Sequence, residues 1–293
     1  MQVIFHSGAH STSEDRLMKC LLVNQDAFGQ TGTVVPGPGR YRDLIKSSCK
    51  ALEAEDAVPS EDARDILLDA ILDEEDADRV ILSVPNFFSS KNYLLNEGAL
   101  YPQAAKRMAQ LKQLFSYDQV ELFMAIRNPA TLLPSVLRKA PPQRIQQALE
   151  ETDLLSLRWS DTISDIRALS ADLPITVWCY EDSPLIWAQI IRDMGGLEHG
   201  QKINGGFDLL STIMSKEGMK RFRGYLHQNP TLTEMQKRRV IAAFLDKFAL
   251  DDALEEELDL PGWTVELVSA MTDAYDEDIY TIQRIPGVTV IAP

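Results

Sequence analysis

Cysteine is scarce in this chain. Its 293 residues include three cysteines, Cys20, Cys49 and Cys179, and no CxxC pair. An odd number of widely spaced cysteines fits neither a disulfide framework nor the paired spacing of a structural zinc site. We therefore expect three reduced, buried thiols, as is usual in the cytoplasm.

Basic residues and long apolar runs are also few. Lys and Arg total 29 against 44 Asp and Glu, which gives a net charge of −15. Proteins that bind nucleic acids neutralise phosphates with clustered basic residues, so this composition argues against such a partner. A local basic pocket could still hold one small anion.

The sequence has no apolar run long enough to span a membrane and no signal-peptide pattern, so the expected location is the cytoplasm.

Short apolar segments alternate with helical patterns along most of the chain. Residues 79–85, 120–126 and 175–180 are continuous apolar runs, which are typical of buried strands in a parallel sheet. The alternation predicts an α/β fold with a three-layer parallel sheet. After residue 205 the pattern becomes helical and ends in a short "VTVI" strand or tail. We expect an α/β core over 1–205 and a helical extension over 206–293, packed together as one structural domain.

A polar, glycine-containing loop, "HSGAHSTS", follows the first apolar run. Backbone N–H groups and small hydroxyls at the start of a helix suit a phosphate or sulfate. The loop is not a Walker A motif, since GxxxxGK[ST] is absent. An ordinary polar connection, with serine or threonine capping the next helix, is the alternative interpretation. The candidate anion-binding residues are Ser7, Gly8, Ala9, His10, Ser11 and Thr12.

The segment "AIRNPATLLPS" gives a more specific signal. Arg127 ends a predicted strand, and Ser135 follows eight positions later on the predicted helix. Two helical turns bring Ser135 back towards Arg127, so a guanidinium and a hydroxyl could hold one phosphate. The alternative is a structural arginine paired with an acid, next to an ordinary helical serine.

Together these segments resemble the sulfotransferase family. "HSGAHSTS", "RNPATLLPS" and "VWCYED" look like its three nucleotide-contacting segments, in the same order. Two longer stretches, "LYPQAAKRMAQLKQLF" and the ending from "PGWTVELVSAM", look like a group of bacterial sulfotransferase-like proteins. The resemblance implies a P-loop-type α/β fold and 3′-phosphoadenosine-5′-phosphosulfate (PAPS) as cosubstrate. It also implies that Arg127 and Ser135 hold the 3′-phosphate, that residues 7–12 hold the phosphosulfate, and that Tyr180 lies near the adenine.

The first loop departs from the family's usual HxGxxKTGTT pattern. Ser11 stands in the lysine position, Ser13 in the glycine position, and Glu14-Asp15 in the position of two threonines. A serine donates a hydrogen bond but no charge to a departing sulfate, so this loop lacks an electrostatic contribution to the transition state. The two acids would favour the helix dipole but repel an incoming anion.

The sequence also offers few candidates for the general base, which would take the proton from the hydroxyl that receives the sulfuryl group. The family often carries it after the strand that 79–85 resembles, but Val84-Pro85-Asn86-Phe87 has no titratable group. His10, or less favourably His6, is the candidate base; the alternative is a hydrogen-bonded structural histidine. Lys91 is a candidate replacement for the missing lysine or, alternatively, a solvated loop residue.

Three functions therefore remain open. The first is transfer of a sulfuryl group from PAPS to a hydroxyl of a small molecule or saccharide. The second is a sulfotransferase-like fold that binds without catalysing. The third, a different nucleotide-using enzyme such as a kinase, lacks a Walker lysine and an acidic pair for magnesium. No metal is expected; the acidic segment "DDALEEELD" (251–259) is interpreted as a surface run without calcium-loop spacing.

Overall fold

The computed structural model of this protein describes residues 1–12, 14–52, 61–72, 77–96 and 98–293. Within them, helices and strands alternate as the sequence predicts for an α/β protein. The strands are β1 (Gln2–Gly8), β2 (Thr33–Val34), β3 (Arg79–Ser83), β4 (Leu95–Asn96), β5 (Ala99–Leu100), β6 (Gln119–Ile126), β7 (Ile175–Cys179) and β8 (Val288–Ile291).

Six of these strands form one parallel sheet in the order β2-β3-β1-β6-β7-β8, while β4 and β5 form a small antiparallel pair. Strand β1 lies inside the sheet, between β3 on one side and β6 on the other. The chain thus passes first to one side of β1 and later to the other. Ligands of parallel α/β sheets bind beyond the carboxyl ends of the strands at such a reversal.

Helices cover both faces of the sheet. The helices of the described residues are α1 (Glu14–Leu22), α2 (Gln25–Gly29), α3 (Arg42–Ala51), α4 (Glu61–Leu72), α5 (Ala104–Leu114), α6 (Pro129–Leu137), α7 (Pro142–Glu150), α8 (Trp159–Leu169), α9 (Ser183–Gly195), α10 (Leu210–Ile213), α11 (Lys216–Gln228), α12 (Glu234–Phe248), α13 (Asp251–Leu254) and α14 (Val265–Ile282).

The period of two along each strand divides the core between the two faces. In β1, Val3 and Phe5 pack with helices α3, α5, α6, α8 and α14, whereas Ile4 packs with α1, α2 and α9. Side chains on both faces are fully buried, which explains why the strands are continuously apolar. The result is a three-layer arrangement with one core on each side of the sheet. The three cysteines all lie among the described residues and are buried thiols, as expected.

The C-terminal segment contributes to the core as well as to the surface. Helix α14 packs on α8 and α6, and β8 adds a sixth strand beside β7. Helices α10, α11 and α12 enclose a smaller apolar cluster around Phe222. The segment predicted as a helical extension thus also supplies an edge strand of the sheet. None of the described helices is long and apolar enough to cross a membrane.

Candidate anion-binding site at the carboxyl edge of the sheet

The loop after β1 leaves the sheet at a point where only glycine fits. Gly8 is in register with Ala125 of β6, and a Cβ added to it would lie 2.8 Å from the Ala125 carbonyl oxygen. The next residue continues this contact, because the Ala9 N–H donates to the same oxygen at 3.0 Å. Ser11 then takes a left-handed conformation with φ of 56°. The loop is therefore held against β6, directly beside the position where Arg127 follows that strand.

Arg127 is the centre of a compact polar cluster. Its guanidinium donates to the Ser11 carbonyl oxygen at 2.5 Å, to Thr131 Oγ1 at 3.1 Å and to Ser135 Oγ at 3.5 Å. It also lies over the Tyr180 ring, 4.8 Å from the centroid. Only 5% of Arg127 is exposed. The fold therefore brings together residues from the three segments that carry the resemblance.

An acidic residue already neutralises this arginine. Glu256 Oε2 lies 2.8 Å from Arg127 Nη2, and the neighbouring Glu257 forms an ion pair with Arg138. Glu256 is exposed, as expected for the acidic surface run 251–259, and its carboxylate also pairs with the buried Arg127. A carboxylate stands where the resemblance places a 3′-phosphate. Nothing in the acidic run marks Glu256 among its neighbours, so the sequence gives no signal for this contact.

The backbone around Arg127 is fixed by buried hydrogen bonds. Trp159 Nε1 donates to the Arg127 carbonyl oxygen at 2.8 Å, and the Asn128 N–H donates to Glu181 Oε1 at 2.9 Å. Burial raises the pKa of Glu181 in spite of this hydrogen bond. The Asn128 side chain caps α6 by accepting from the Ala130 N–H. Trp159 is fully buried and is also the hydrogen-bond donor that positions Arg127.

Two cavities flank the first loop, and Ser11, Thr12 and Asp15 line both. The larger, of 710 Å³, is also lined by Tyr180 and by Arg16 and Lys19; we call it the Tyr180 cavity. The smaller, of 250 Å³, is also lined by Arg42 and Lys91; we call it the Arg42 cavity.

The structure distributes the predicted loop residues unequally between these spaces. Ala9 and His10 line only the Arg42 cavity, while Ser7 and Gly8 belong to β1 and line neither cavity. Arg127 and Ser135 also line neither, because the guanidinium is enclosed by its own contacts. Ser13 lies outside the described residues, as does the side chain of Glu14. Asp15 is exposed, with one carboxylate oxygen 3.6 Å from Arg42 Nη1.

His10 is buried against Tyr101. Its backbone N–H donates to the Tyr101 hydroxyl at 2.8 Å, and its Nδ1 lies 2.8 Å from the same oxygen. Burial, reinforced by the Lys91 cation, lowers the pKa of His10 to about 4, so the ring is neutral at pH 7. Burial raises the pKa of Tyr101, which keeps its hydroxyl proton available for Nδ1. His10 is therefore a weak proton acceptor in this state.

The contact between His10 and Tyr101 depends on a turn at Tyr101 that the local sequence pattern does not predict. The pattern predicts a helix from residue 101, whereas α5 begins at Ala104. Tyr101 instead has a left-handed φ of 49°, and its ring is stacked between His10 and Trp159. Pro102 favours a first helical turn at this point, because its fixed φ suits the start of a helix. A tertiary contact sets this backbone conformation, and the local pattern carries no sign of it.

His6 is a second buried histidine at this edge and leads to a pH prediction. Burial, with help from Arg42, lowers the pKa of His6 from 6.5 to about 4. His6 takes up a proton at a higher pH in the unfolded chain than in the folded protein. Acidification from about pH 6.5 to about pH 4 therefore favours unfolding. We expect His6→Gln to reduce the loss of unfolding free energy between about pH 7 and about pH 5 by about 2 kcal/mol relative to wild type.

Denaturant unfolding at both pH values measures this difference. His199→Gln is the matched control, because its side chain is exposed. The control is expected to lose as much stability as wild type on acidification. An equal loss in wild type and His6→Gln would contradict the prediction.

Comparison with known proteins assigns no family to this chain. No protein-family model matches it, and no curated protein matches its sequence. Among the described residues, no group of three or more His, Cys, Asp or Glu side chains could hold a metal ion.

Proposed function

We propose that this protein is a sulfotransferase-like enzyme that binds PAPS and transfers its sulfuryl group to a hydroxyl of a small molecule or saccharide. The observation that carries the proposal is the meeting of Arg127, Ser135, Tyr180 and Ser11 in one cluster. These residues come from three separate segments of the chain. Arg127, Ser135 and Tyr180 are of the types that the resemblance implies for contact with a 3′-phosphorylated adenosine nucleotide, whereas Ser11 stands in the position of the family's lysine.

Donor binding would use the Tyr180 cavity and the Arg127 cluster. A volume of 710 Å³ lies within the range of about 300–1,000 Å³ that is usual for small-molecule sites. Arg127 and Ser135 would hold the 3′-phosphate once Glu256 has moved away, and Tyr180 would lie beside the adenine. Loop residues Ser11 and Thr12 would contact the phosphosulfate from the floor of the cavity.

Sulfuryl transfer also needs positive charge and a proton acceptor. The acceptor oxygen forms a bond to sulfur as the bond from sulfur to the bridging phosphate oxygen breaks, and the acceptor hydroxyl gives up its proton. Lys91 and Arg42 border the loop and would supply the charge that Ser11 does not. His10 borders the same cavity and is the candidate base, positioned by Tyr101.

Binding without transfer is the second candidate function. The state of His10 favours it, because a neutral imidazole with a pKa of about 4 accepts a proton poorly at neutral pH. The loop itself carries serine where the family has lysine. In this alternative the Arg127 cluster recognises the nucleotide, and the protein acts through a partner or as a binding protein.

Thermal unfolding with 3′,5′-adenosine bisphosphate tests the shared part of both candidates. At a concentration about a hundredfold above Kd, a ligand stabilises by about 2.7 kcal/mol, which raises Tm by roughly 5 °C. Adenosine 5′-monophosphate, which lacks the 3′-phosphate, is the matched control and is expected to raise Tm less. No shift with millimolar bisphosphate would contradict both candidates.

Labelled sulfate separates the two. Transfer from labelled PAPS to any hydroxyl compound supports the enzyme and rules out the non-catalytic candidate. Nucleotide binding with no transfer to a broad panel of alcohols, phenols and sugars would overturn the catalytic proposal and leave the binding role.

A further inference from the structure

The Arg42 cavity has a charge opposite to that of the protein as a whole. Arg42, Lys46 and Lys91 line it, and Asp15 is the one acid among the described residues that do so. The complete chain carries a net charge of −15. Three cations around a space of 250 Å³ are therefore a local departure from the charge of the molecule.

One of the three cations is held by a backbone hydrogen bond, and the other two are exposed. Arg42 Nε donates to the Ser83 carbonyl oxygen at 2.9 Å, which ties its guanidinium to the end of β3. Lys46 on α3 and Lys91 are exposed, and neither has an ion-pair partner within the described parts of the chain. Within the part of the chain that the structure describes, two ammonium groups without an ion-pair partner thus border the cavity and are available to a ligand. These cations also act on their neighbours: burial is the main cause of the lowered pKa values of His10 and His6, and Lys91 and Arg42 respectively lower them further.

We infer that the Arg42 cavity binds an acidic acceptor: a hydroxyl compound about the size of a monosaccharide that carries a carboxylate. Carboxylates pair with guanidinium and ammonium groups through charge-assisted hydrogen bonds. Asn86 and the loop residues Ser11 and Thr12 also line the cavity and add polar groups that suit sugar hydroxyls. This inference rests on the proposed function, because it names the substrate class of the same site.

The position of the cavity supports an acceptor. Ser11 and Thr12 line both cavities, so molecules bound in the two spaces would both contact the first loop. His10 borders the Arg42 cavity and not the Tyr180 cavity. A hydroxyl bound there would lie on the same side of the loop as the candidate base.

The test measures binding of D-glucuronate and D-glucose by titration calorimetry, without donor. The wild type is expected to bind glucuronate at least about tenfold more tightly than glucose, which has no charge. The double variant Lys46→Gln/Lys91→Gln is expected to weaken glucuronate binding by about tenfold. Lys50→Gln, one turn further along α3 and outside the cavity, is the matched control and should leave binding unchanged. Equal affinity for the two sugars, or no effect of the double variant, would overturn the inference.

Two further measurements complete the test. One asks whether the cavity binds the sulfuryl group of the donor or the carboxylate of an acceptor. The other distinguishes failure of this inference from failure of the proposed function. Inorganic sulfate that binds through the same lysines more tightly than glucuronate would assign the cavity to the sulfuryl group of the donor and overturn the acceptor inference. Lysine-dependent glucuronate binding in a protein that fails to bind adenosine bisphosphate would support an acidic-ligand site while contradicting the proposed function. Bisphosphate binding without glucuronate binding would overturn the acceptor inference alone.

Discussion

Replacing Arg127 with glutamine is expected to weaken binding of 3′,5′-adenosine bisphosphate at least about a hundredfold. An arginine holds a phosphate through two charge-assisted hydrogen bonds, each contributing about 1.5–3 kcal/mol. About 1.4 kcal/mol corresponds to a tenfold change in affinity, so the loss of both bonds exceeds two orders of magnitude. Calorimetric titration well below Tm measures the change on folded protein.

Arg138→Gln is the matched control for this substitution. Arg138 also forms an ion pair with a glutamate of the acidic segment, but its side chain is 37% exposed and its partner is Glu257. We expect this variant to bind the nucleotide as the wild type does. If Arg127→Gln keeps the affinity of the wild type, the Arg127 cluster is not the phosphate site.

Replacing Glu256 with glutamine is expected to have the opposite effect and to tighten nucleotide binding by about tenfold or more. In the wild type, an incoming phosphate must displace the Glu256 carboxylate from Arg127. A hydrogen bond between charged groups contributes about 1.5–3 kcal/mol, and glutamine keeps the size of the side chain without the charge. The same change leaves a buried guanidinium without its counter-ion, so Tm of the ligand-free protein should fall.

Glu257→Gln separates this local effect from the general loss of one negative charge. It changes the net charge equally, and it affects the ion pair with the more exposed Arg138. We expect its nucleotide affinity to change by less than about twofold, as is usual for exposed ion pairs. Nucleotide binding by Glu256→Gln that is no tighter than that of Glu257→Gln would contradict competition between Glu256 and the phosphate.

The contact between Arg127 and Ser135 could be predicted because it is local. Both residues belong to one strand–helix unit, and their spacing of eight positions is set by the helical repeat. The alternative, an arginine paired with an acid, is also present in the structure, since Glu256 is that acid. The phosphate-binding interpretation and the ion-pair interpretation therefore concern the same position, beside Arg127. Glu256 occupies it in the structure, and a phosphate would have to replace Glu256 there.

Two contacts could not be predicted, that of His10 with Tyr101 and that of Arg127 with Glu256, because each joins distant segments. Tyr101 reaches His10 only through a left-handed turn, and Glu256 reaches Arg127 from an acidic run with no distinguishing pattern. The sequence makes Lys91 a candidate replacement cation, but it does not indicate that Lys91 lines one cavity together with Arg42 and Lys46. Such contacts depend on the packing of separate elements, which side-chain periodicity does not encode.

The sequence by itself determined the α/β architecture, the buried parallel strands, and the polar loop, arginine and serine at their carboxyl ends. These follow from periods of two and of 3.6 residues, which are properties of the local backbone. Only the tertiary structure decided the pairing of Glu256 with Arg127, the neutral state of His10 and the cationic lining of the Arg42 cavity. Ion pairing, burial and cavity shape arise when distant segments are brought together, so they become fixed only when the chain folds.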